Sequence, residues 1–308
     1  MIPAAFTYHR PRTVDTALRL LTDHGADAKV LAGGQSLLAL MKLRLATPGH
    51  VIDIGRIAAL RRIRVRAGRL HVGALATHWM VESTPAVRRA APGLAETAAA
   101  IGDLQVRNLG TVGGSLAHAD PAADYPAMVL ALDAEFALQG RDGARTVPAS
   151  EFFRGVMTTA LRPGELLVEV VVPVASTRFG AAYLKMPNPA SGFALAGVAA
   201  AVGLDSDGLA AHVRVGITGV APTAYRATAV EEAVVGQDPT DERLAQASGA
   251  AADGVEANSD IHAGAAYRLH LARVLTRRAL ILARDRARGG RSRRTSAGGR
   301  AGYGGPRS

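Results

Sequence analysis

Cysteine is absent from all 308 residues. That gap removes disulfides, a cysteine nucleophile and thiolate-ligated zinc, and it denies this chain alone an ordinary iron–sulfur cluster. Any cluster that serves it has to sit on a partner. No run of eighteen apolar residues is free of charge, although 48% of the sequence is hydrophobic, so no transmembrane segment is expected. Met1 to Arg12 mixes prolines with polar residues and lacks a charged stub followed by an apolar stretch. Without a secretory signal, the cytoplasm is the expected compartment.

Acidic residues are missing from the C-terminus. From Arg286 onward there are seven arginines and no Asp or Glu, and without them the formal charge falls from +10 to +3. The high charge is therefore local and leaves an ordinary balance for a soluble enzyme. Gly289–Ser308 is rich in Gly, Ser and Arg with one Tyr, a composition that cannot bury enough surface to fold. A disordered Arg/Gly tail over residues 286–308 is expected. The alternative is a tail that touches RNA or an acidic partner.

The length suits two domains, and the pattern along the chain is α/β at first. Phe6–Tyr8 reads as a short strand, and Thr13 caps a helix with Val14, Ala17, Leu18 and Leu21 on its apolar face and Gly25 as its stop. Lys29–Ala32 is a buried strand ending at Gly33-Gly34. An amphipathic stretch follows from Ser36 to Arg44, then a strand Val51–Ile54. Period-two alternation at Arg62–Arg66 and Leu70–Gly73 around Ala67-Gly68 predicts a hairpin. Thr77 caps a short helix, and two more helices split at Pro92-Gly93 lead to Ile101-Gly102. Asn108–Ala117 reads as a loop and Pro121–Leu132 as a helix, with strands at Glu135–Gln139 and Leu166–Val172. A second domain starts near Thr177. Its strands are Phe193–Val202 and Val213–Val220, Thr228-x-x-Glu231 is a capping box, and helices Asp241–Ala251 and Ala263–Arg284 close the fold.

Two glycine motifs stand out. In the first, Leu31–Leu38, adjacent Gly33 and Gly34 allow positive φ and bring amide N–H groups against a ligand, while Ser36 adds a hydroxyl. The helix beyond supplies further unpaired amides. The motif matches neither the Gly-x-Gly-x-x-Gly loop nor a P-loop. In the second, Asn108–Pro126, three glycines, two hydroxyls and the carboxylates Asp120 and Asp124 crowd together; the acids could accept from sugar hydroxyls or an adenine amine. Each also has a structural reading. The first is a tight turn with a helix cap, Asp120 is an N-cap before Pro121, and Asp124 is an exposed first-turn acid.

The order and flanks of the two motifs are more specific than either alone. Ala-Gly-Gly-Gln-Ser-Leu-Leu with Lys42 and Arg44 beyond it, followed by Ile101-Gly102-Asp103-x-Gln105-Val106-Arg107-Asn108-x-Gly110-Thr111-Val112-Gly113-Gly114-Ser115, resembles the FAD-binding medium subunit of molybdenum hydroxylases, the carbon monoxide and xanthine dehydrogenase type. Lys185-Met186, Ser191–Ala194 and Gly216–Val220 extend the likeness from Tyr8 to about Arg284.

The resemblance implies an α+β fold: a two-subdomain FAD-binding unit of the vanillyl-alcohol-oxidase (PCMH) type over residues 1–176, split near 56/57, and a smaller α+β C-terminal domain over 177–285. It implies FAD held by Ala32, Gly33, Gly34, Gln35, Ser36, Leu37 and Leu38 and by Thr111, Gly113, Gly114 and Ser115, with Ile101 nearby. Asp124 and Lys185 would make polar contacts to the cofactor, joined by Asp120, and Leu161 a backbone contact at the ring. Phe193 would lie near the flavin, its alternative being a core aromatic. In this family the substrate is oxidised on a large molybdopterin subunit, and electrons pass through iron–sulfur clusters of a small subunit to FAD and then to an external acceptor, in an assembly expected to be a dimer of heterotrimers. No histidine or cysteine lies in the first motif, so the FAD is expected to be noncovalent. No catalytic residue is expected on this chain. No metal site is expected either: His118-x-Asp120 lacks a third ligand and His-Glu-x-x-His is absent. Gly34-Gln35-Ser36 lacks the last glycine of a nucleophile elbow. The competing assignment is a self-contained flavin oxidase or NAD(P)H reductase of the same fold.

Overall fold

Short buried strands separated by glycine and proline turns build three main sheets and a two-stranded ribbon in the computed structural model, which describes residues 2–289. The first sheet is parallel, in the order Thr7–His9, His50–Asp53, Ala28–Leu31. Helix Val14–His24, capped by Thr13 through the amide of Thr16, lays Ala17, Leu18 and Leu21 against it.

The second sheet is antiparallel, in the order Ile63–Arg66, Arg69–Gly73, Leu166–Pro173, Glu135–Gly140, Gly143–Pro148. A layer of short helices from His78 to Ala131 shares a core with it. Pro92 does not merely break that run. It occupies the first turn of the helix Pro92–Ala99, where its missing N–H costs nothing. In the last of these helices, Tyr125–Ala131, every residue is buried.

The third sheet pairs Phe179–Pro187, Ala194–Leu204, Ala210–Thr218 and Tyr225–Arg226 antiparallel. Ala194–Leu204 is almost continuously apolar because both of its faces are covered. Ala199 and Ala201 join the core shared by the second sheet and its helical layer, while Ala196, Val198, Ala200 and Val202 face the core beneath the 23-residue helix Ala265–Ala287. Small residues let both neighbours come close. Backbone contact is closest at Gly180, where a Cβ would lie 2.0 Å from the Ala283 carbonyl, and at Gly216, where it would lie 2.1 Å from that of Ala127.

Several expectations change. The second half of the stretch read as a loop is a helix, Val112–His118, and the next helix starts only at Tyr125, because Asp120–Asp124 is tied to the third sheet: Thr218 Oγ1 donates to the carbonyls of Pro121 and Ala123 and Gly219 N to Pro121. Thr228 and Glu231 form no capping box. Ala227 holds the N-cap without a side-chain bond, and Glu231 instead accepts from Val215 N and the Arg226 guanidinium. Strands Gly143–Pro148 and Phe179–Pro187 lack a clear alternating signal and escape the pattern. The tail does not begin at Arg286: the last helix runs to Ala287, with Arg286 on Glu96 and Arg288 on Asp238, while residues 290–308 lie outside the described residues. The long helix is not wholly apolar on its inner side either. Buried Arg268 donates to the carbonyls of Leu195 and Gly219 and to Asp260, as burial of a guanidinium demands.

Gly216→Ala should lower stability by about 1–3 kcal/mol, because its methyl meets backbone that cannot rotate away. Urea midpoints of the variant and the parent chain test this; an unchanged midpoint would mean the helix Tyr125–Ala131 can shift.

Candidate functional site

The strand Ala28–Leu31 leads into a turn at Ala32–Ser36 and then the helix Leu37–Lys42. Gly34 has φ +75°, which a side chain would strain. Gly33 has a different constraint: a Cβ there would lie 2.2 Å from the Leu109 carbonyl oxygen and 2.8 Å from Gly110 Cα. The first glycine motif therefore lies backbone to backbone on the second. Among the described residues the amides of Gly33, Gly34, Gln35 and Ser36 donate to no protein acceptor, and the Ser36 hydroxyl caps nothing. The helix that follows is only six residues long, so these amides themselves, rather than a macrodipole, are what the turn offers an anion.

The second motif works differently from the expectation. Its amides are already engaged: Val112 N with Ala76 O at 3.0 Å, Gly113 N with Ala74 O at 2.9 Å, and Gly114 N with the N-cap hydroxyl of Thr111 at 3.1 Å. Gly113 is required by packing, since a Cβ would come within 2.5 Å of Ala74 Cβ. Gly114 would meet only the Thr111 hydroxyl, at 2.7 Å, and Ala32 Cβ, at 3.8 Å, so its bare face leaves room beside the first turn. Ser115 adds a hydroxyl on the same wall.

The first sheet, the second sheet with its helical layer and the segment Ser191–Phe193 of the third sheet's side meet around a cleft of about 550 Å³, within the range of small-molecule and cofactor sites. Ala32, Gly33, Gly34, Gln35, Ser36, Leu37, Ile101, Thr111, Gly113, Gly114, Ser115, Asp120, Asp124, Leu161 and Phe193 all line it. Two expected residues do not. Leu38 turns back beneath the first turn, where a Cβ on Gly34 would approach its Cδ1 to 2.7 Å. Lys185 points away into the protein, with Nζ 2.8 Å from Asp124 Oδ1 and 2.7 Å from the Gly192 carbonyl.

The acids are committed to structure. Asp120 Oδ1 accepts from Ala122 N at 2.8 Å, a local turn rather than a helix cap. Asp124 is not an exposed first-turn acid: it is buried, and its Oδ1 also accepts from the Tyr183 hydroxyl at 2.7 Å. Burial raises its pKa, opposed by Lys185 and Tyr183. Glu165 on the cleft wall is held below the usual carboxylate range mainly by its hydrogen bond from Arg145. Lys29 is the only lysine or arginine side chain on the described wall, so an anion there depends on backbone donors.

Ile101 and Gly102 are pinned by Arg107, which donates to both carbonyls at 3.1 Å and pairs with Glu82. Across the cleft, Gly192 (φ +73°) comes close to Gly102 and places Phe193, 45% exposed, at the rim with Met157. Phe193 is thus not a core aromatic. Sequence patterning passed over Met157 and His78 and weighed His118 only as a metal ligand, whereas all three line the cleft. His78 is fully enclosed, leans on the Tyr125 ring, and leaves no room for a side chain on Gly110. Burial, then the Arg107 charge, push its imidazole down to about 4. Nothing in its spacing signals this; only its neighbour Thr77, the helix cap, is legible.

A nucleotide cofactor with a diphosphate fits this cleft: its donors are bare amides and hydroxyls, and Gly33, Gly34 and Gly114 keep side chains off the wall beside them. Comparison with known proteins agrees. Residues 4–175 match the family described as FAD binding domain in molybdopterin dehydrogenase, and residues 181–283 the CO dehydrogenase flavoprotein C-terminal domain. The chain is 42% identical over 280 residues to the carbon monoxide dehydrogenase medium chain of Hydrogenophaga pseudoflava, covering 91% of this chain and 97% of that one. It is 37% identical to the 6-hydroxypseudooxynicotine dehydrogenase complex subunit alpha of Paenarthrobacter nicotinovorans, covering 94% and 97%. Among solved structures, the Hydrogenophaga pseudoflava carbon monoxide dehydrogenase lacking the Mo-pyranopterin moiety superposes with a TM-score of 0.89 at 44% identity, over 92% of this chain and 98% of that one.

Gly34→Val and Gly114→Val should each abolish FAD binding while the third sheet stays folded, read by flavin absorbance and circular dichroism; full flavin occupancy in either would remove that glycine from the site. His78 adds a pH dependence. Because its folded pKa lies below the ordinary 6.5, its contribution is complete above that value and is lost as pH falls toward about 4. That loss amounts to about 3 kcal/mol, so stability plotted against pH should be flatter by that much in His78→Gln.

Proposed function

The chain belongs to the FAD-binding medium-subunit family of the molybdenum hydroxylases, an oxidoreductase family, and from that membership we propose that it relays electrons between partner clusters and an external acceptor. The observation that carries the proposal is a flavin-sized cleft with uncommitted amides in a chain that has no cysteine. Such a chain can hold a flavin but cannot hold an ordinary iron–sulfur cluster by itself. Electrons therefore arrive from a small iron–sulfur subunit, which takes them from a large molybdopterin subunit, and the assembly is a dimer of heterotrimers.

FAD, when bound, supplies the redox centre; the chain binds it, orients it and limits its access to water. The amides of Gly33–Ser36, with the hydroxyls of Ser36 and Ser115, would hold the diphosphate. Leu161 and Phe193 would flank the ring at the rim. Lys185 acts at one remove, by fixing Asp124 and the Gly192 carbonyl so that Phe193 keeps its place. No side chain of the cleft has to transfer a proton to a substrate, and the flavin is held without a covalent bond. In this reading residues 1–176 form the flavin-holding unit and residues 177–285 a smaller domain, which supplies Ser191–Phe193 at the cleft rim.

The two named relatives are part of a carbon monoxide dehydrogenase and of a 6-hydroxypseudooxynicotine dehydrogenase complex, which supports a subunit whose cofactor work is independent of the substrate. Co-expression with iron–sulfur and molybdopterin subunits should yield a complex containing flavin, iron and molybdenum, in which flavin reduction follows substrate addition. The isolated chain should bind FAD, release it on acid precipitation, and turn over none of carbon monoxide, aldehydes or purines. Turnover by the isolated chain without iron or molybdenum would establish a self-contained oxidase instead.

A further inference from the structure

Three histidines from separate elements converge on the first sheet, away from the cleft. His9 ends the strand Thr7–His9, His24 ends the helix Val14–His24, and His50 begins the strand His50–Asp53. Their ligand nitrogens all lie within 4.8 Å of one another, each ring half-buried. His9 Nε2 and His50 Nδ1 are 2.9 Å apart, and the rings of His24 and His50 stack with centroids 3.6 Å apart at 10°.

The backbone around His50 is held from both sides. Gly49 N donates to Asp27 Oδ1 at 2.8 Å, and Thr7 N donates to the Gly49 carbonyl at 2.7 Å. The cluster is thus built on fixed elements, not on a free loop.

We propose that His9, His24 and His50 form a binding site for one borderline divalent transition ion, Zn²⁺ being the probe of choice. The donor set is imidazole only, which suits zinc and its neighbours and not the oxygen-seeking Ca²⁺ or Mg²⁺. Three nitrogens leave a fourth tetrahedral position for water. Ligands at about 2.0–2.1 Å from such an ion are roughly 3.3 Å apart, and the stacked rings of His24 and His50 turn out of parallel to bring both in-plane lone pairs onto it.

An ion there ties the strands Thr7–His9 and His50–Asp53 to the helix Val14–His24. His50 pairs with Ala28, three residues or about 10 Å of strand before Leu31, which leads into the glycine turn. The site thus lies beside the strand Ala28–Leu31, which pairs with the His50 strand and leads into the first glycine motif. This function is separate from electron transfer and holds whether or not partners are present.

The test uses the tag-free full-length chain carrying FAD, stripped with a chelator and dialysed against Zn²⁺ at pH 7.5. The expected result is one zinc per chain and a rise in Tm of about 5 °C. His9→Gln and His24→Gln should each lose both the zinc and the Tm shift, with their flavin absorbance intact as evidence of folding. A parent chain that takes up no zinc would overturn the proposal. So would a His9→Gln/His24→Gln double variant that retains flavin and binds as much zinc as the parent.

Discussion

Gly33 resting on the Leu109–Gly110 backbone is the contact from which the cleft follows. Two chains can meet that closely only where neither carries a side chain into the gap. The meeting docks the parallel N-terminal sheet on the helical layer that covers the second sheet. It also turns the amides of Gly33–Ser36 away from the first sheet's ladder and leaves them without protein acceptors. Unpaired amides carry a free-energy cost that an anionic ligand relieves. The rest of the site is arranged around that need: a bare face at Gly114, hydroxyls at Ser36 and Ser115, and a rim closed from the third sheet by Phe193.

The elements that carry a local signal were legible in the sequence. Thr13 and Thr77 are caps because each hydroxyl accepts an amide three residues on, and the hairpin at Ala67-Gly68 follows from alternation alone. Phe179–Pro187 was not, because its two faces are both buried and its alanines and tyrosine give no contrast between them. The Thr228–Glu231 spacing misled for a related reason. Glu231 also accepts from the Val215 amide of the neighbouring strand, which lies 16 residues away and outside any local window.

The candidate site divides the same way. Residues on the two glycine motifs could be named because glycine pairs are rare enough to mark backbone work, and fifteen of the seventeen named residues reach one cleft. What the motifs did not reveal is how the work is divided: the first supplies free amides, while the second spends its own on Ala74, Ala76 and Thr111. Leu38 follows cleft residues in sequence but is exposed to solvent, and Lys185 is spent on Asp124 and the Gly192 carbonyl, matters of side-chain direction that sequence does not encode. His78 was invisible for another reason, since its burial is created by Tyr125 and Gly110, both distant in the chain.

The wall of the cleft presents a single lysine, and Asp124 and Glu165 are already matched by Lys185 and Arg145. A diphosphate held in such surroundings is gripped by oriented peptide dipoles at contact distance. Counter-ions screen exposed charges over about 10 Å at ordinary ionic strength, but they do not displace short hydrogen bonds of this kind. Retention of the nucleotide is thereby decoupled from the saltiness of the medium. It depends instead on whether the turn between Leu31 and Leu37 keeps its shape.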